Sequence, residues 1–140
     1  MLSLSQGSWV RALVVFSVAT LLSGLIHTAD DIIQGASEIF VLVSVLASTP
    51  YVFGIIWSWA GKWYGYAIVG VISLFFFYSV YLSHALELSG ARSFAQIAQD
   101  TPELWAPTFV ATALLGGITS LAAVITTAYL LLRSRPGAGA

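Results

Sequence analysis

The chain has two histidines, and each is followed three residues later by an acid: His27 by Asp30, and His84 by Glu87. On a helix, positions three apart share a face, so each pair would present an imidazole beside a carboxylate. Two such pairs brought to one point form a four-donor set suited to zinc, iron, manganese or copper(II). Helical bundles hold metals in this way, with His and carboxylate groups projecting from facing helices. The expected ligands are therefore His27, Asp30, His84 and Glu87. Asp31 and Glu38 are close enough in the chain to serve as outer partners or as a further ligand. The chain has no cysteine and a single methionine, Met1, which excludes thiolate zinc sites, thioether copper sites and thiol redox chemistry.

Two other readings of the histidines compete. A histidine near a helix C-terminus is favoured by the negative end of the dipole and can be purely structural. Haem is a weaker alternative, because two histidines on two spans can ligate iron axially. The acid beside each histidine counts against haem, as does the presence of only Arg92 on that side to meet the propionates.

Four long apolar stretches must position these residues: 12–28, 39–59, 65–86 and 108–132. Each is close to the ~20 residues a helix needs to cross a ~30 Å hydrocarbon layer. Hydrophobic residues make up 59% of the chain and charged residues 8%, where a soluble domain would carry about a quarter. The expected fold is all-α and integral to the membrane, a four-helix bundle in one domain covering residues 1–140, with 133–140 as a tail. A net charge of −1 and five scattered basic residues exclude nucleic acid as a partner.

Every acid falls on one side, and four of the five basic residues fall on the other. Asp30, Asp31, Glu38, Glu87, Asp100 and Glu103 fall in the first and third connections. Arg11, Lys62, Arg133 and Arg135 fall at the N-terminus, the second connection and the tail. Basic residues gather at cytoplasmic loops, so both termini are expected in the cytoplasm and the histidines at the outer face, most simply of the cell membrane. Trp9, Trp57, Trp59, Trp63 and Tyr64 mark the inner headgroup level and Trp105 the outer one, in agreement. The first stretch has the outline of a signal peptide, but His27 stands where cleavage needs a small residue, so retention is expected.

His27 and His84 end spans that run in the same direction, so both arrive at one depth. The segments 25–30 (LIHTAD) and 82–87 (LSHALE) are alike and 57 residues apart, which suggests a two-helix unit used twice in parallel orientation. Pro50 predicts a kink near Ala47, with Ser48 or Thr49 satisfying a freed carbonyl. Ala113, Gly116, Gly117 and Ser120 form a small-residue stripe that drives close helix pairing. It would serve either against the first span, through Thr20, Ser23 and Gly24, or in a contact with a second copy or a partner. Ser93 and Gln96 form a capping-box pattern that opens a short helix on the outer surface, and residues 101–103 (TPE) mark a further helix start.

No nucleophile stands beside a base, and there is no phosphate loop or nucleotide fingerprint, so catalysis is not expected. None of the charged residues lies near a span centre, where a coupled carrier would need one. Two functions remain: a small metal-binding membrane protein, or a non-catalytic accessory or anchor subunit packed against a larger complex.

Overall fold

The computed structural model describes residues 5–33, 38–87, 93–100 and 106–134. The expected helix start at 101–103, the Trp105 indole, Arg92, Glu103 and Arg135 lie outside them. Helix α1 covers Gln6–Ile33, α2 Glu38–Trp59 and α3 Trp63–Phe76. A π-helical segment, Phe77–Leu82, and the short α4, Ser83–Ala85, extend α3. Helix α5 covers Phe94–Asp100 and α6 Ala106–Arg133. No strand occurs among the described residues. Four of these helical runs are long and apolar enough to cross a membrane, the third being α3, the π segment and α4 together. Helix suits such sequences because every backbone donor and acceptor is satisfied within the segment, where no water reaches.

The helices outrun the apolar stretches. With a rise of 1.5 Å per residue, α1 and α6 are each about 42 Å long, more than the hydrocarbon layer requires. The surplus is polar: Gln6 and Ser8 extend α1 at one end, and Thr28 and Asp30 at the other. Ser5 caps α1, its Oγ accepting from the Ser8 N–H at 3.4 Å.

Consecutive spans run antiparallel. The Trp9 ring lies 4.5 Å from Tyr129, and the His27 ring lies 4.2 Å from Phe109, so opposite ends of α1 meet opposite ends of α6. The α1–α6 contact is the most extensive in the bundle. Ala113 and Ser120 are fully buried there, and a Cβ on Gly116 would stand 3.4 Å from the Ser23 Cβ. Thr20 donates across the interface to Thr119 at 3.0 Å. Gly117 faces the π segment, where a Cβ would come within 2.8 Å of the Tyr81 ring. The four small residues of the stripe therefore pack inside this bundle.

At mid-bundle Tyr51 of α2 is fully buried, shares a 2.8 Å hydrogen bond with Ser73 of α3, and packs edge-on against Phe76 at 5.6 Å. Such interhelical bonds add modest stability in an apolar surround. Helix α2 passes through Pro50 without interruption. Proline there deprives the Leu46 carbonyl of its donor. Ser48 donates to the Ser44 carbonyl at 2.9 Å and not to Leu46, so the expected rescue by Ser48 is not made.

The α2–α3 turn is set by two glycines. Gly61 adopts φ +73, and the bonds Gly61 N–H to Ser58 and Lys62 N–H to Trp57 form a Schellman ending. At Gly65 a Cβ would lie 2.5 Å from the Ser58 backbone nitrogen, so the two helices can start and stop this close only with glycine there.

Candidate functional site: a histidine pair at one end of the bundle

The π segment carries the third span to the same end of the bundle as the close of α1. An i→i+5 turn holds about one residue more than an α-turn, so it shifts which side chains face inward. Tyr81, stacked on Phe77 at 5.6 Å, fills the space that Gly117 leaves open. One turn later the chain presents His84. The His27 and His84 rings meet edge to face with centroids 5.5 Å apart. The convergence expected from their matching depth is found.

Phe109, in the first turns of α6, completes the cluster. It is 1% exposed and its ring centre lies 4.2 Å from that of His27 and 5.0 Å from that of His84. Phe94, the first residue of α5, packs on the far side of His84 at 5.8 Å. The capping box that holds Phe94 in place is formed: the Ser93 N–H donates to Gln96 Oε1 at 3.0 Å, and the Gln96 N–H to Ser93 Oγ at 3.3 Å. His27 is 2% exposed, whereas His84 is half-buried. Two imidazoles from two spans therefore share one site, walled by two phenylalanines that no spacing of titratable residues could point to.

The acids divide. Asp30 lies one turn beyond His27 on the same face, is 3% exposed, and its Oδ2 has no hydrogen-bond partner among the described residues. Leaving a buried carboxyl oxygen unsatisfied is costly, so the position invites a proton or a cation. Glu87 goes elsewhere. Helix α4 ends at Ala85, Leu86 leaves the helical region, and Glu87 takes φ +51, which turns its side chain out to an exposed position. The i, i+3 relation to His84 fails because the helix stops before it can apply. The side chains of Asp31 and Glu38 lie outside the described residues. Among those described, no three His, Asp or Glu side chains stand close enough to hold one ion together. The four-donor cluster is thus reduced to a pair of imidazoles with one buried carboxyl nearby.

The three ring centres form a triangle with sides of 4.2, 5.0 and 5.5 Å, which puts Phe109 beside the midpoint between the imidazoles. A porphyrin held between the two rings would have to pass through that position. A single ion needs far less room.

Comparison with known proteins adds no family: no family model, no curated protein and no solved structure matches this chain.

Proposed function

We propose that this is a small membrane protein that binds one divalent transition metal at the His27–His84 pair. The observation that carries the reading is the meeting of two imidazoles, far apart in sequence, within 5.5 Å at one end of the bundle. Neutral imidazole suits zinc, copper(II), iron and nickel, and two imidazoles fill half of a tetrahedral set. The Asp30 carboxylate, after a change of rotamer, and water supply the remainder. The buried, unsatisfied Oδ2 of Asp30 supports that role. In this reading LIHTAD and LSHALE are two copies of one unit, each bringing its histidine to the outer, non-cytoplasmic face. Both termini lie in the cytoplasm of a cell whose plasma membrane holds the protein, as the basic Arg11, Lys62 and Arg133 imply. Helix α5 rests in the outer headgroup layer, Ile97 inward and Gln96 and Gln99 outward.

A second reading, an accessory or anchor subunit, draws support from α2. Of the side chains between positions 39 and 50 whose exposure is described, none is buried in this chain. That half of α2 is left to lipid or to a neighbouring membrane protein.

One experiment separates the two. The protein, purified without a metal-affinity tag, is analysed for elemental content as isolated, alongside His27→Ala and His84→Ala. Near-stoichiometric metal in the wild type, lost in either variant, supports the metal site. Metal-free protein that co-purifies with a fixed membrane partner supports the subunit.

A further inference from the structure

The third span changes helical register just before His84, and the direction of that imidazole depends on the change. The Phe77 N–H donates to the Ser73 carbonyl, an α-helical bond. The Ser83 N–H donates to the Tyr78 carbonyl, five residues back, and the Leu86 N–H to Leu82, four back, at 2.9 Å. Between two α-helical flanks, Phe77–Leu82 therefore takes in one extra residue. In an α-helix each residue turns about 100° and rises about 1.5 Å. With an α-helix throughout, Ser83 would take the direction that His84 has here, and His84 would point about 100° away from it.

Building on the metal reading above, we propose that the third span has two registers, and that metal at the His27–His84 site selects the π register over the α register. Binding at the site then turns the last residues of the span.

The backbone on either side of His84 favours the α register. π-helix is rare in proteins and collects at functional sites. Past His84, Glu87 takes φ +51, a left-handed conformation that residues other than glycine, asparagine and aspartate seldom adopt. His84 thus stands between two costly backbone features. Resolving the π segment into α-helix removes the first and advances the chain by one residue at the second.

Packing favours the π register. A Cβ on Gly117 would come within 2.8–2.9 Å of Tyr81. With glycine there the tyrosine fits, stacked on Phe77 at 5.6 Å and reaching Phe94 at 6.2 Å. Phe94 also packs on His84, at 5.8 Å. Tyr81 and His84 are joined through one ring, so a turn of one carries the other. A ligand shifts such an equilibrium only by binding one state better. Metal does so here, because only the π register offers it both imidazoles.

The test uses the full chain in detergent, with zinc as the probe. Gly117→Ala pushes Tyr81 out of its place and disfavours the π register. It should weaken zinc about tenfold in the native background. In a Ser83→His/His84→Ser background, where the α register carries the imidazole to the site, the same alanine should strengthen zinc by a similar factor. Simple damage to packing would weaken both. A second measurement stands if Gly117→Ala does not fold. The chain has no cysteine, so Val15→Cys and Leu86→Cys, both at exposed positions, take nitroxide labels cleanly. Metal-free protein should show two label distances, and zinc should leave one. Weakening in both backgrounds, or a single distance that saturating zinc leaves unchanged, would overturn the two registers and leave the metal site standing. A native chain that binds no zinc would end both.

Discussion

The two ends of this bundle solve opposite problems with the same four spans. At the histidine end, rings from α1, the third span, α5 and α6 close over one another, and His27, Asp30 and Phe109 are each at most 3% exposed. At the other end the chain turns tightly on Gly61 and Gly65 and leaves a cavity of about 420 Å³ open beside exposed Arg11. One end is sealed around His27 and Asp30 and rich in imidazole and carboxyl. The other is open, basic and aromatic. Charge sorting that orients a protein in its membrane has here also divided its chemistry.

The contrast can be broken most forcefully at the turn. Gly65→Val pushes a branched side chain into the Ser58 and Trp57 backbone, which cannot retreat, and should cost about 3 kcal/mol. Reversible unfolding in mixed micelles reads that loss directly. It should also deform the open cavity while metal binding at the far end persists in whatever fraction remains folded.

Gly117→Ala is the counterpart at the sealed end. The new methyl meets Tyr81 near its Cβ, at 2.9 Å, where the side chain has little freedom to swing. A loss of about 1–3 kcal/mol is expected by the same unfolding assay. Because Tyr81 is carried on the π segment that leads to His84, metal affinity should fall with it.

Asp30→Asn and Glu87→Gln sharpen the comparison within the sealed end. The buried Asp30 carboxyl should matter, with metal affinity falling about 10–100-fold, as for other carboxylates that support a histidine site. The exposed Glu87 should not, and a competitive zinc titration that ranks the two variants the other way would remove Asp30 from the site. The smallest effect belongs to the middle. Tyr51→Phe deletes the bond to Ser73 and should lower stability by about 0.6 kcal/mol, leaving both ends unchanged.

Much of this arrangement is legible in the residues alone. Four apolar runs, with all the acids on one side and most of the basic residues on the other, lead to the antiparallel bundle, and equal depth brings His27 to His84. The packing of Ser23 on Gly116 and of Thr20 on Thr119 follows from small residues needing a close neighbour, and the Ser93–Gln96 capping box has its own local signature. Other features have no such signature. An i→i+5 segment is built from the same aromatic and aliphatic residues as the α-helix around it, so Phe77–Leu82 reads as ordinary span. Helix spacing carried past Ala85 wrongly aligns Glu87 with His84, because the helix end is set by how Leu86 and Glu87 turn and not by their types. Nothing in the type or spacing of Phe109 and Phe94 marks them as neighbours of the imidazoles. The cavity at Arg11 and Tyr66 draws on three separate segments, and no spacing joins them.

The claim on which the rest depends is that His27 and His84 form one site. Zinc affinity, measured by competition with a chromophoric chelator for the wild type, His27→Gln, His84→Gln and the double variant, tests it directly. If the histidines act together, each single variant loses most of the affinity and the double variant loses scarcely more, a strongly non-additive cycle. Wild-type protein that does not compete for zinc, or single losses that simply add, would mean that the two rings are neighbours in the packing and nothing more.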